Sequence, residues 1–240
     1  LGRVSNYDIN QTLITYSSTS THARAALVGI LNTLLVAFLA IILATVIGVL
    51  VGVLRLSRNW LVSRLMTVYV EVFRNVPLLL WILLAYAILS EGLPGPREFR
   101  DGTAGYILGS VAVTNRGIFV PAPVYGPGAG FIGILFVLSV VAAVLWRQHA
   151  RRQLFETGRM LPVVWPVMAM LVLPVLIAYV AIWGVAGAPI TFDFPGVPES
   201  GIPRFEGGVQ LRASLLALWL ALSLYSAAFI AENVRGGIMA

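Results

Sequence analysis

Residues 25–54, AALVGILNTLLVAFLAIILATVIGVLVGVL, contain no charged side chain. A helix of this length rises about 45 Å, enough to cross a hydrocarbon core of about 30 Å with some tilt. Ala44, Gly48 and Gly52 recur at four-residue spacing, and small residues so spaced let a second helix approach closely in lipid. The stretch therefore predicts a transmembrane helix, and ordinary helix packing explains its small residues more simply than a gating role does.

Four further apolar stretches of similar character follow it. The predicted spans are 25–54, 66–90, 131–146, 161–185 and 211–230. We therefore predict an all-α fold, a polytopic bundle of about five transmembrane helices. It occupies a membrane domain over residues 25–240, which a polar segment over residues 1–24 precedes.

The overall composition agrees with a membrane protein. Of the 240 residues, 59% are hydrophobic and only 11% are charged, whereas soluble domains average about 25% charged residues. The net charge is +6, and all 16 basic residues are Arg. They concentrate between apolar stretches, so membrane orientation explains them better than binding of nucleic acid does.

The arginines also predict the topology. The positive-inside rule assigns the arginine-rich segments 55–65 and 147–160 to the cytoplasm, and the longer, charge-balanced segments 91–130 and 186–210 to the periplasm. Residues 1–24 then lie outside, which an additional upstream span would explain. Because the sequence also begins without Met, we expect that the intact protein is longer at both ends and lies in a bacterial inner membrane.

No motif for soluble enzyme chemistry occurs in the sequence. There is no phosphate-binding GxxxxGK[ST] loop, and His22 and His149 lack acidic neighbours at metal-ligand spacing. Asp, Glu and His, which proton-coupled carriers place within the membrane, are absent from the middle of the spans. We expect no catalytic residues, metal or cofactor in this chain, and any uphill transport would draw its energy from a partner.

Two segments carry a family resemblance. Residues 69–79, YVEVFRNVPLL, and residues 224–238, LYSAAFIAENVRGGI, together resemble the permease subunits of polar amino-acid ABC importers, the histidine and glutamine permease group. Residues 115–121, NRGIFVP, further resemble the branch that serves general L-amino acids or glutamate, glutamine, aspartate and asparagine. The resemblance runs from about residue 32 to the end.

The resemblance implies that the second segment approaches a cytoplasmic loop that docks on the ATPase. Glu232, Arg235, Gly236 and Gly237 are the candidate residues of this ATPase-coupling approach. Glu232 and Arg235 would share one helix face, and the two glycines would end the helix. A simple capped helix end is the alternative, and the residues alone favour it.

Three residues of the first segment, Arg74, Asn75 and Pro77, are candidates for a hinge that lines the solute path. Pro77 lacks an amide proton and Asn75 can bond nearby backbone, so the helix can bend there. A surface ion pair between Glu71 and Arg74 is an equally good explanation. Tyr225 and Ser226 are further candidates for the substrate path.

The family also implies partners. Two permease subunits, identical or homologous, would enclose the path and alternate access, a periplasmic binding protein would deliver the amino acid, and a cytoplasmic ATPase dimer would bind ATP and magnesium. The alternative is a secondary carrier or channel for small polar solutes. Within the importer class, a methionine or osmolyte permease is a further possibility. We expect the chain to contact membrane lipid and not to bind nucleic acid.

Overall fold

The chain folds mainly into long apolar helices. The computed structural model describes residues 2–9 and 11–239. Within that part, five helical stretches are long and apolar enough to cross a membrane, namely His22–Leu54, Leu78–Arg100, Ala129–Thr157, Val164–Ala186 and Ala213–Met239. The predicted helical bundle with five spans is therefore confirmed.

The chain divides into two compact units. The first, residues 1–120 and 195–240, contains α1 (His22–Leu54), α2 (Trp60–Asn75), α3 (Leu78–Glu91), α4 (Pro96–Arg100), β1 (Ala112–Thr114), β2 (Gly117–Val120), β5 (Val209–Arg212) and α7 (Ala213–Met239). The second, residues 121–194, contains β3 (Ala122–Tyr125), α5 (Ala129–Thr157), α6 (Val164–Ala186) and β4 (Ile190–Asp193).

Close packing of α1 on α7 forms the centre of the first unit. A Cβ added at Gly48 would lie 2.6 Å from the Cβ of Ile230, and one added at Gly52 would lie 2.8 Å from the Cβ of Val234. Both positions progress in the same direction along the two helices, so α1 and α7 run parallel. The small residues predicted to serve packing therefore do so, and the facing side of α7 is lined by buried alanines.

The predicted span 66–90 is not one helix, and this part of the prediction requires correction. Val76 adopts an extended conformation (φ −103°, ψ 132°) and separates α2 from α3. Pro77, which follows it, has no amide proton and disfavours a helical conformation at the residue before it. Most of the predicted cytoplasmic loop 55–65 is likewise helical, because Asn59 caps α2, which begins at Trp60.

The segments predicted as loops 91–130 and 186–210 contain short strands. In the first unit, β2 pairs with both β1 and β5, and Arg212 lies opposite Gly117. A cluster of aromatic rings stabilises this region, with the Phe205 ring 4.4 Å from that of Phe119 and 5.2 Å from that of Phe99. The strands hold only three or four residues each, too few for a clear alternating pattern.

The second unit is a helical hairpin with a small β-ribbon. The Trp146 indole of α5 donates a hydrogen bond of 3.1 Å to the Pro162 carbonyl in the connection to α6, and β3 pairs antiparallel with β4. The span predicted to end at residue 146 continues to Thr157 and ends at Gly158 in the left-handed conformation (φ +71°). The arginines of segment 147–160 therefore indicate the membrane topology, but they do not end the helix.

Candidate functional site

The carboxylate of Glu232, in the last third of α7, is surrounded by arginines. Its oxygens lie 2.5 Å from Arg55 Nη1, 3.5 Å from Arg74 Nη1 and 3.6 Å from Arg235 Nη1. We call these four residues the Glu232 cluster. Since Arg55 immediately follows α1 and Arg74 lies in the last turn of α2, the cluster joins three helices at one end of the first unit.

Arg55 is the buried member of the cluster. Its side chain is 5% exposed, while that of Glu232 is 35% exposed. Its Nε also donates a hydrogen bond of 3.4 Å to the Thr67 hydroxyl, and the Ser63 hydroxyl donates one of 2.7 Å to its backbone carbonyl. A buried cation is tolerated only with such compensation. The Glu232 carboxylate therefore neutralises the positive charge of Arg55 at this end of the unit.

α2 is held against α7 next to the cluster. The Tyr69 hydroxyl donates a hydrogen bond of 2.7 Å to the Leu224 carbonyl. Below it, Val51 and Val70 pack with Ala228 in a small apolar core. These contacts hold α2 and α7 together.

Arg74 turns toward α7 and away from the acid on its own helix. Besides its contact with Glu232, its guanidinium lies 5.4 Å from the centroid of the Phe229 ring. The cation–π geometry adds an attraction of about 0.5–1 kcal/mol at such partly exposed sites. Glu71 forms no salt bridge within residues 2–9 and 11–239, so the predicted Glu71–Arg74 pair is not formed.

Comparison with curated proteins finds amino-acid transport permeases that are similar to this chain. The chain is 45% identical over 233 residues to the general L-amino acid transport system permease protein AapQ of Rhizobium johnstonii, which covers 97% of this chain and 55% of that protein. It is 43% identical over 261 residues to the glutamate/glutamine/aspartate/asparagine transport system permease protein BztB of Rhodobacter capsulatus, covering 98% of this chain and 59% of that protein. A protein of Escherichia coli, named provisionally as an amino-acid ABC transporter permease, is 40% identical over the full chain and 58% of its own length.

The chain is a homologue of amino-acid ABC transport permeases. It spans somewhat more than half the length of these relatives. No family model matches the chain, and no solved structure matches it. With its five apolar helices, the chain is a multi-pass inner-membrane protein, and its relatives are permease components of amino-acid transport systems.

In the structure, the two segments that carry the resemblance contact each other. Arg74, from the first, contacts Glu232, from the second, and Glu232 and Arg235 share a helix face at the predicted spacing. The expectation that Gly236 and Gly237 end the helix is wrong, because α7 continues to Met239. Within a helix, neither glycine needs the left-handed conformation that a terminating glycine adopts.

The other predicted residues lie around the cluster without joining it. Asn75 and Pro77 are exposed where α2 ends. Tyr225 and Ser226 are half-buried on α7, and the Tyr225 ring lies 5.0 Å from that of Phe229. Their roles in a solute path therefore stay predictions.

The sequence does not identify two further candidate functional residues, Arg55 and Tyr69. In the sequence, Arg55 is recognisable only as a charge that indicates topology, and Tyr69 only as part of a motif. Their partners lie 177 and 155 residues away, so no local spacing connects them. Within the described residues, no group of three or more His, Cys, Asp or Glu side chains could hold a metal ion.

Proposed function

We propose that the complete protein is a permease subunit of an ATP-driven, binding-protein-dependent importer and forms the translocation path for polar L-amino acids by alternating access. The identity of 40–45% to transport permeases along 97–100% of this chain carries the proposal. Because the chain spans little more than half of those relatives, the proposal concerns the complete protein.

The proposed partners supply what this chain lacks. A cytoplasmic ATPase dimer binds ATP and magnesium, since no phosphate-binding loop occurs in the sequence. A periplasmic protein delivers the amino acid, and a second permease subunit, identical or homologous, completes the path. The absence of acidic side chains from the middle of the spans supports an external energy source over coupling to protons.

We assign the Glu232 cluster a role in coupling. It ties α7 to the end of α1 and to α2 through contacts of 2.5 and 3.5 Å, so a displacement of the α7 end changes the environment of the buried Arg55. Shifting a two-state equilibrium from 1:99 to 99:1 requires about 5.5 kcal/mol, which an ATP-driven partner can supply through such contacts.

Reconstituted transport tests the proposal. The full-length protein is placed in liposomes with its ATPase and companion permease, and uptake of labelled L-glutamate, L-glutamine and L-alanine is followed. We expect uptake only with ATP and the binding protein present together. Equal uptake by the permease alone, driven by an ion gradient or by the solute gradient, would instead identify a secondary carrier or channel.

A further inference from the structure

A cavity of about 510 Å³ lies in the second unit, between the end of α5 and the segment that leads to α6. One side is lined by Arg147, Arg151 and the apolar residues between and after them on α5, and the other by apolar residues of segment 160–163. The hydrogen bond from the Trp146 indole to the Pro162 carbonyl holds this segment against α5. The cavity is therefore formed by the fold of the hairpin itself.

The two arginines of the cavity are accessible and have no acidic partner. Arg147 and Arg151 are four residues apart, so they lie on the same face of α5, and both are exposed. Neither forms a salt bridge within residues 2–9 and 11–239. Glu156, the only acid of segment 147–160, does not line the cavity. Two guanidinium groups, which form strong charge-assisted hydrogen bonds with phosphate, are therefore available to an anionic ligand.

Large apolar side chains are exposed at and beside the cavity. Met160, which lines it, is 86% exposed, and Phe155 and Trp165, which lie close to lining residues along the chain, are 75% and 82% exposed. The Phe155 ring centroid lies 5.8 Å from the Arg151 guanidinium carbon. Aromatic rings and arginines in combination are typical of the layer where a membrane meets water. A ligand at this cavity therefore meets apolar groups as well as positive charge.

The position of the arginines along α5 corresponds to the depth of lipid headgroups. Arg147 directly follows the uncharged stretch 131–146, so it lies where the hydrocarbon core ends. Arg151 lies about 6 Å further along the helix axis, and the headgroup layer on each side of a bilayer is about 5–8 Å thick. The positive-inside rule assigns segment 147–160 to the cytoplasm. Both guanidinium groups therefore lie at the level of the phosphates of the cytoplasmic leaflet, which favours a lipid over a soluble partner protein.

We propose that this cavity binds the headgroup of an anionic phospholipid, such as phosphatidylglycerol, from the cytoplasmic leaflet. The phosphate contacts Arg147 and Arg151, and the acyl chains lie along the exposed apolar side chains of α5 and α6. Basic pockets between transmembrane helices on the cytoplasmic side hold anionic headgroups in this way. The inference goes beyond the proposed function and does not depend on it, because it concerns the lipid that surrounds the second unit and not the solute.

Native mass spectrometry of the full-length protein, purified in a nonionic detergent and titrated with lipid, tests the site. Phosphatidylglycerol is the probe, and phosphatidylcholine with the same acyl chains, which has no net charge, is the reference. We expect phosphatidylglycerol to bind about 25-fold more tightly than phosphatidylcholine, about fivefold for each arginine. Arg147→Gln and Arg151→Gln should each raise the Kd for phosphatidylglycerol about fivefold and leave that for phosphatidylcholine unchanged. Inorganic phosphate, which lacks acyl chains, should not displace the lipid.

Arg152→Gln is the matched control. Arg152 is an exposed arginine of the same helix, next to Arg151 in the chain, and does not line the cavity. Its substitution removes the same charge and should leave both Kd values unchanged. Because all three arginines are exposed, we expect each variant to fold, and melting temperatures verify this.

Three results would overturn the inference. Equal binding of both lipids by the wild type would show that the headgroup charge is not recognised. An equal loss of phosphatidylglycerol binding in Arg152→Gln would indicate a general attraction of the basic segment and not a site in the cavity. Unchanged lipid binding in Arg147→Gln and Arg151→Gln, with weaker association of the ATPase in a pull-down of the assembled transporter, would assign this surface to the ATPase instead.

Discussion

The charges of the Glu232 cluster are unequal in their burial. Arg55 is almost completely enclosed, whereas Glu232 keeps about a third of its side chain exposed. Arg74 and Arg235 are exposed to a similar extent as Glu232. Loss of the carboxylate therefore leaves a buried cation without a counter-charge, whereas loss of Arg55 leaves an acid that still has two arginines and solvent.

This asymmetry predicts an order of stabilities. Glu232→Leu should lower the free energy of unfolding by about 2 kcal/mol, since an uncompensated buried charge is strongly destabilising and partial exposure reduces the effect. The double substitution Arg55→Leu/Glu232→Leu should be more stable than Glu232→Leu alone, because no unpaired cation remains. Thermal melting in detergent measures the order.

Glu71→Leu serves as the control for this series. Glu71 is an exposed acid on α2 without a salt bridge in the described part of the chain, so its loss should change the melting temperature little. A double variant that is less stable than Glu232→Leu would show that Arg55 stabilises through packing and not through the charge pair.

Transport measurements distinguish a role of Glu232 and Arg235 in coupling from a purely structural role at the end of the helix. Glu232→Ala or Arg235→Ala in the intact protein should lower uptake several-fold, because the contact between α7 and its neighbours is weakened, while solute binding by the soluble partner stays unchanged. Uptake in liposomes and titration of the binding protein are the two measurements. Normal uptake in both variants would leave these residues with only the helix-end role.

At the residue scale, the sequence predicts only those contacts that depend on the spacing of residues within one helix. The three-residue step from Glu232 to Arg235 correctly placed both on one face. The same rule failed for Glu71 and Arg74, because a tertiary partner, Glu232, attracts the arginine away. Long-range contacts such as that of Arg55 depend on the packing of whole helices, which periodicity does not define.

At the scale of elements, close packing of α1 on α7 should depend on Gly48. A Cβ there would lie 2.6 Å from Ile230 Cβ and 2.9 Å from the Ala227 carbonyl oxygen, so Gly48→Ala forces the helices apart. We expect destabilisation of about 1–3 kcal/mol, as for other overpacked sites, in a thermal melting assay.

Gly29→Ala on the same helix is the matched control. Nothing lies within 4 Å of a Cβ added there, and alanine favours the helix more than glycine does. Gly29→Ala should leave the melting temperature unchanged or raise it. Equal destabilisation by both substitutions would mean that glycine acts through the backbone of α1 and not through its contact with α7.

The break between α2 and α3, at Val76, lies two residues after Arg74, which connects α2 to the Glu232 cluster. Pro77→Ala restores an amide proton and lets the helix continue through Val76, so the Arg74 end of α2 would lose its freedom to move relative to α3. We expect altered stimulation of the ATPase by substrate, with little change in protein yield. Transporter-dependent ATP hydrolysis in liposomes is the measurement.

Pro166→Ala is the control for this substitution, because Pro166 lies in the first turn of α6, where proline is well tolerated. It should change neither ATP hydrolysis nor yield. If Pro77→Ala merely reduces the amount of folded protein, the break serves packing alone.

The elements themselves were predictable to the extent that apolar length defines them. Five long apolar stretches gave five spans, but their ends follow from local backbone chemistry, such as Gly158 in the left-handed conformation. The strands of the connecting segments were missed because β2 pairs with a strand about ninety residues later in the chain. Such pairing depends on the helices that bring the two segments together.

At the scale of the whole molecule, α7 links the two ends of the first unit. From Ala213, where the helix begins, to Glu232, the helix rises about 29 Å, close to the roughly 30 Å of a hydrocarbon core. The positive-inside rule assigns the Glu232 end to the cytoplasm. The proposed importer requires this orientation, because ATP is hydrolysed on that side.

Site-directed labelling tests this orientation most directly. This chain contains no cysteine, and any cysteine elsewhere in the full-length protein is first replaced by serine. Single substitutions Leu108→Cys, at a residue 94% exposed, and Gly237→Cys, near the end of α7, are introduced into the full-length protein and treated with a membrane-impermeant maleimide. Leu108→Cys should react in intact spheroplasts and Gly237→Cys only in inside-out vesicles. Labelling of Gly237→Cys from outside intact spheroplasts would contradict the orientation and, with it, the importer.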